Sequence, residues 1–412
     1  MTIPSHKTKP RVLVVGAGLG GLAVAIATTL TGHFSVTVLE SSPVLGEVGA
    51  GIQLSPNCSR LLKRWGCEKY LKDNVVTPKY GRAYRWQYGK ILSEREINHT
   101  TEAKFGAPYW HVHRADLHEA LAHRVQELGV PIRLDARVVS VDVGPETGSP
   151  KVTIHTGEVL ECEFLVGADG LHSKVREAVC PEAGRPVATG DLAYRFTVPV
   201  SLMKDNPHLA QLAEIPGASS WWGPDKHVVG YILRNQTTYN VVAVFPDDGS
   251  VQGASKAVGT LEQVQELYKG WCKQVTSLMD LTEPNGLSKW ILMDLAPLPR
   301  WNNSCCALVG GACRPMLPYL AQGSAQAFED AATLAVCMDT MPNELDKAAE
   351  IFTSIRKSRA TKVQQFARAQ RARNHLKDGW DATSGEESKD WTSGLYGYDA
   401  EEAARQTLAS RL

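Results

Sequence analysis

The stretch Arg11-Val12-Leu13-Val14-Val15-Gly16-Ala17-Gly18-Leu19-Gly20-Gly21-Leu22 sets an apolar strand, a glycine turn and a helix start in direct succession. The helix continues to Leu30, and Ser35-Val36-Thr37-Val38-Leu39 gives a second strand ending at Glu40. This is a βαβ unit with its start and stop signals in place. Gly16, Gly18 and Gly21 allow the backbone to approach a pyrophosphate, and the helix N-terminus offers unpaired N–H groups at the positive end of its dipole. Glu40, roughly 20 residues downstream, is placed to accept hydrogen bonds from a ribose diol and would repel a 2′-phosphate. The expected nucleotide is FAD or NAD rather than NADP.

Two further strand ends repeat the pattern. Phe164-Leu165-Val166-Gly167-Ala168-Asp169-Gly170 is followed by Ser173, Lys174, Val175 and Arg176, a strand–turn–helix with an acid in the turn. Ala307-Leu308-Val309-Gly310-Gly311-Ala312-Cys313-Arg314-Pro315 runs through a Pro-punctuated loop to Gly323 and Ser324, where a new helix starts. Between the Gly16 and Gly167 turns, Leu117, Leu121, Val125 and Leu128 recur at helical spacing within Arg114 to Leu128, and strands are expected at Pro131 to Ala136, Val138 to Val143, Lys151 to Thr156 and Val159 to Val166.

From about 186 to 300 the pattern becomes longer alternating strands, at Asp191 to Val200, His227 to Arg234 and Tyr239 to Phe245, with Trp221 and Trp222 between them. Period-two alternation implies a sheet with one covered face. A helix is expected from about Glu344 to Lys377, and the polar tail beyond Asp378 reads as partly loose. The fold class is α/β: a Rossmann-type domain from 1-75, 106-185 and 300-343, an inserted β-rich substrate domain from 76-105 and 186-299, and a C-terminal helix and tail over 344-412.

Across 412 residues, 44 Lys and Arg balance 44 Asp and Glu, so no global field recruits nucleic acid or an anionic membrane. The Arg and Lys residues at 356, 357, 359, 362, 368, 371 and 373 read as a solvated helix face. The N-terminus is polar and no apolar run reaches about 18 residues, so neither a signal peptide nor a membrane span is expected. Nine scattered cysteines, Cys305 and Cys306 among them, suit reduced thiols in a cytoplasmic protein. His111, His113 and His118 have no carboxylate or Cys completing a metal-ligand spacing, so no metal is expected.

Taken together, the motifs resemble the group A FAD-dependent aromatic monooxygenases, the family of 4-hydroxybenzoate and salicylate hydroxylases, including fungal members. The resemblance covers nearly the whole chain. It is carried by the glycine motif with Glu40, Gly49-Ala50-Gly51-Ile52-Gln53 with Pro56-Asn57, His113-Arg114-Ala115-Asp116-Leu117, the Gly167 to Gly170 segment, and Gly310 to Gly323. It implies a hydroxybenzoate-hydroxylase-like fold that binds FAD and takes NADH or NADPH as a transient reductant. No second dinucleotide motif is visible. The partners implied are a small electron-rich aromatic, O2 and NAD(P)H, with oxygen transferred from a flavin hydroperoxide to a phenolic acid, hydroxypyridine acid, polyketide or indole. A flavin-fold protein with non-oxidative activity, and an FAD-dependent oxidase or dehydrogenase, are the alternative readings.

By the same resemblance, Arg114 reaches the flavin's ribityl or phosphate groups, unless it pairs with Asp116, and Asp169 contacts both FAD and the nicotinamide. Gln53 touches FAD through its backbone while its amide faces substrate, unless it is merely solvated. Pro315, Gly323, Ser324 and Ala325 present backbone to the flavin ring. At Gly311 the family usually has Asp, which accepts a ribityl hydroxyl, and at Arg314 many relatives have His. Loss of that hydrogen bond should cost about 0.5–1.5 kcal/mol. For substrate, Arg195 lies mid-strand, where a covered charge needs a ligand or partner; the alternative is an outward-facing side chain. His227 and Tyr231 are four apart on one strand, hence on one face, and suit a phenol as base or donor, or else are ordinary packing. Tyr319 is placed over the substrate cavity by the resemblance.

Overall fold

The computed structural model describes residues 9–46, 49–251, 256–283, 287–375 and 385–411. Its first sheet has six strands in the order Asn302–Asn303, Cys306–Leu308, Phe164–Gly167, Arg11–Val15, Ser35–Leu39 and Ile132–Arg133, all parallel but the first. The three glycine turns therefore leave the C-terminal ends of neighbouring parallel strands, where open α/β sheets bind ligands. Helices Leu19–Leu30 and Gly323–Thr340 pack together over this sheet, close enough that a Cβ on Gly20 would lie 3.5 Å from that of Ala327.

The second sheet has eight strands: Lys256–Val258, Ser288–Asp294, Val187–Pro199, Thr238–Pro246, Lys226–Leu233, Gly217–Gly223, Tyr80–Arg85 and Ile91–Glu96. Its two faces follow from the alternation. Leu192, Tyr194, Phe196, Val228, Ile232 and Val241 fill a core on one side, closed by helices Leu261–Leu267 and Lys273–Asp280. The intervening Asp191, Ala193 and Arg195 point the other way, with His227, Tyr231, Asn240 and Val244 in register beside them. A small cluster of Ala193, Val244, Leu292, Leu317 and Ala367 fastens that second face to the Pro315–Gly323 loop and to the long helix Leu345–Asn374.

One expectation needs correcting, and two are filled in. Val159 to Val166 is two strands: Val159–Glu161 joins a three-stranded meander, and Phe164–Gly167 joins the central sheet. The chain changes sheets at Cys162 and Glu163, where Glu163 N–H donates to the Arg11 carbonyl and its carboxylate pairs with the Arg11 guanidinium at 2.8 Å. Trp221 and Trp222 belong to a strand, Gly217–Gly223, which lies parallel to Tyr80–Arg85 with Trp221 stacked on Tyr84. The tail holds two helices, Gly385–Tyr396 and Ala400–Ala409, and the second buries Ala404 and Leu408. Lys377 and Asp378 lie outside the described residues. No described helix is long and apolar enough to cross a membrane.

Candidate active site

The three glycine turns meet. Gly16 has φ +101, and a Cβ there would fall 2.7 Å from the Ala168 carbonyl oxygen; one on Gly21 would fall 1.9 Å from the Gly16 oxygen. Ala168 N–H donates to Val15 and Val309 N–H to Gly167, and a Cβ on Gly311 would lie 3.4 Å from Gly170 Cα. The Arg176 guanidinium fixes this junction by donating to the carbonyls of Leu171 and Ala312.

Two helix N-termini open onto this junction without a side-chain cap, Leu19–Leu30 behind Gly18 and Gly323–Thr340 behind Gln322. Their first N–H groups lack intrahelical partners and suit anionic or carbonyl oxygens. Glu40 accepts from the N–H groups of Ala17 and Ser42, so the acid also shapes the glycine turn. Gly49 leaves room for Arg114, whose Cδ would be 2.7 Å from a Cβ there. The donor set fits FAD: Gly16, Gly18 and Gly21 with Arg114 would face the pyrophosphate, Glu40 the ribose, and Gly323, Ser324 and Ala325 the flavin oxygens.

Strand Gly51–Leu54, paired with Trp110–His113, lies against the inner face of the large sheet. Gly51 N–H donates to Asn240 Oδ1 at 2.7 Å, and the Tyr231 ring occupies the space a side chain at Gly51 would need, 2.5 Å from its Cβ position. Arg195 is partly buried beside Tyr231 and Arg114. Burial lowers its pKa, Tyr231 opposes that fall and Arg114 adds to it, while burial raises the Tyr231 phenol. At the other end of the same face, the His227 ring lies 5.5 Å from that of Tyr319.

A family model described as FAD binding domain matches residues 9–367. The chain is 35% identical to the FAD-dependent monooxygenase OpS4 of Beauveria bassiana, with 97% of each chain covered. It belongs to the FAD-dependent monooxygenases. It is 33% identical to a 3-hydroxybenzoate 6-hydroxylase of Polaromonas naphthalenivorans, over 94% of this chain and 96% of that one. Among solved structures, CtdE in complex with FAD and substrate superposes with a TM-score of 0.85 at 20% identity over 98% of both chains. A salicylate hydroxylase substrate complex gives 0.81 at 22% over 97% and 98%. The fold is thus that of the salicylate-hydroxylase-like flavoenzymes.

Several side chains of this monooxygenase have duties the sequence did not announce. Asp169 accepts from Ser173 Oγ and from the N–H groups of Lys174 and Val175, so its carboxylate caps the helix Lys174–Val179 and holds its loop in shape. Asp116 pairs with Arg234 at 2.9 Å. Gln53 is tethered: Tyr109 donates to its Oε1 at 2.6 Å, which aims the amide nitrogen elsewhere. The Tyr319 hydroxyl donates to Asp191 Oδ2 at 2.5 Å, so it is the ring that faces His227. Pro315 is held through its carbonyl by the Gln364 amide.

The reading of the 356–373 cations as a solvated face fails for four of the seven, although Lys362 is exposed. Arg356 is fully buried between Glu329 and Asp330, Arg359 pairs with Glu329, Arg368 with Asp294 and Arg371 with Asp191. Burial alone would raise the Glu329 carboxyl, yet Arg356 and Arg359 hold it down at about 2. Asn57 and Gln326 also donate to Glu329, and Gln322 donates to Ser55. The network therefore braces the turn before Gly323 against the segment after Gln53. Arg314, buried, joins it through Asp330 and the Gln326 carbonyl and stacks over Trp301, while its Nε and Nη1 make no hydrogen bond. One sequence signal was available: adjacent acids in an otherwise apolar helix, Phe328-Glu329-Asp330-Ala331, need buried cations.

Proposed function

We propose that this enzyme hydroxylates a small electron-rich aromatic bearing an acidic group, using NADH or NADPH and O2. The observation that carries this reading is Arg195. It is a partly buried guanidinium with no carboxylate or hydrogen-bond partner among the described residues, and its charged neighbour is a second guanidinium, Arg114. Leaving such a cation unpaired is costly, and a carboxylate or phenolate ligand would offset the cost. The named activities of relatives agree with this class: 3-hydroxybenzoate 6-hydroxylation, and 6-hydroxynicotinate 3-monooxygenation in a Pseudomonas fluorescens protein 32% identical over 87% of this chain.

The chemistry supplied by bound FAD is two-electron reduction by the nicotinamide and activation of O2. The chain's own residues do the rest. Arg195 and the Tyr231 O–H hold the acidic group against the sheet face, and the Gln53 amide nitrogen, aimed by Tyr109, is free to donate to the ring's substituent. His227, buried and neutral, presents an Nε2 that has no hydrogen-bond partner among the described residues and can accept a phenolic proton.

The test is Arg195→Met, assayed with 3-hydroxybenzoate, salicylate and 6-hydroxynicotinate. Removing a charge-assisted contact worth about 1.5–3 kcal/mol should raise KM by roughly 10- to 100-fold with FAD content unchanged. Unaltered KM for every acid accepted by the native enzyme would place the anion site elsewhere.

A further inference from the structure

The His227 imidazole does not end at the sheet. Its Nδ1 lies 2.9 Å from Nε2 of His375, which follows the last turn of the long helix Leu345–Asn374, and the two rings are 5.1 Å apart. One proton lies between these nitrogens, so one ring donates and the other accepts. His227 is almost wholly buried, whereas His375 is partly exposed. The pair thus bridges the sheet face, where Tyr319 and Tyr231 sit, and the outside of the molecule.

We propose that His375 is the exit for a proton that His227 takes from a phenolic substrate; this rests on the phenol reading of the site given above. The phenol O–H gives its proton to His227 Nε2. The proton on His227 Nδ1 passes to His375 Nε2, and the proton on His375 Nδ1 leaves to water. The substrate ends as phenolate, both imidazoles end neutral with their tautomers exchanged, and one proton reaches solvent. His375 acts through His227 and is a positioning residue.

Two features make the second histidine necessary. Burial, with a smaller contribution from His375, holds His227 near 3, so an imidazolium trapped there would be unstable and His227 alone would be a poor proton sink. His375 is lowered by burial and Arg371 but raised by Asp191 and Asp225. The charges around it are laid out by three elements: Asp191 on strand Val187–Pro199, Arg371 on the long helix, and Asp225 in the turn before Lys226; the Asp225 N–H donates to the His375 carbonyl. Tyr319, bound to Asp191, packs on both imidazole rings.

The experiment mixes FAD-loaded enzyme with 4-hydroxy-3-nitrobenzoate, a carboxylate-bearing phenol with a coloured phenolate, below the free phenol's own pKa, and follows ionisation by stopped flow. His375→Gln can still accept from His227 Nδ1 but cannot relay. It should slow ionisation about tenfold at unchanged probe affinity and FAD content. His375→Phe should be slowed likewise, and added imidazole should restore its rate. Native ionisation rates in His375→Gln, or a defect in His375→Phe that imidazole fails to relieve, would overturn the relay. A native enzyme that binds the probe without ionising it would instead overturn the phenol reading, and the relay with it.

Discussion

Gly311→Asp asks whether the three-turn junction is built as described. A Cβ at 311 would meet Gly170 Cα at 3.4 Å, Gly170 C at 3.6 Å and Leu171 N at 3.7 Å, all ordinary contacts, so the side chain enters without moving the loop. The new carboxylate gains a hydrogen bond to a ribityl hydroxyl, worth about 1 kcal/mol net, which corresponds to roughly fivefold tighter FAD binding. The Asp169 carboxyl in the adjoining loop, itself raised by burial, subtracts from this through like-charge repulsion. Gly311→Asn supplies the acceptor without the charge and should bind at least as well. The assay is titration of apoprotein with FAD, followed by flavin fluorescence. If both variants bind FAD no better than the native protein, Gly311 does not face the ribityl chain and the assumed geometry is wrong.

Gly51→Ala drives a methyl to within 2.5 Å of Tyr231. Overpacking of this kind costs about 1–3 kcal/mol, and we expect KM for the aromatic to rise on the order of tenfold while FAD occupancy holds, as steady-state kinetics and flavin absorbance would show. Arg356→Met takes from both Glu329 and Asp330 one of their two guanidinium partners in the core and should remove about 3–5 kcal/mol of stability in denaturant titration; a loss under 1 kcal/mol would mean the network is not structural. The Glu329 carboxyl is depressed from its ordinary 4.5 to about 2 in the folded state, so its contribution is complete above 4.5 and is lost as pH falls towards 2. Unfolding free energy should therefore decline through that window, and Glu329→Gln should decline less steeply.

What the sequence disclosed was local. Each glycine turn is a few consecutive residues whose conformation and neighbours are dictated by the absence of a Cβ, so the Gly16 and Gly167 corners could be read from the chain and are found side by side. The inward face of the large sheet was equally legible, because period two puts His227 and Tyr231 on one side whatever else surrounds them. Partnerships across long sequence separations left no such trace. Arg356 and Arg371 looked like solvent-facing cations because the acids that neutralise them, Glu329 and Asp191, lie 27 and 180 residues away. The split of Val159 to Val166 was hidden for a related reason: one apolar run serves two sheets, and only their positions in space divide it.

The central claim is that FAD held at this junction delivers oxygen to an aromatic acid on the Arg195 face. Its most direct test is turnover of FAD-loaded enzyme with NAD(P)H, an accepted aromatic acid and isotopically labelled O2, with the product examined by mass spectrometry. One labelled oxygen atom in the aromatic product is the predicted result. Product formed without label would contradict the account and identify an oxidase or dehydrogenase on the same fold.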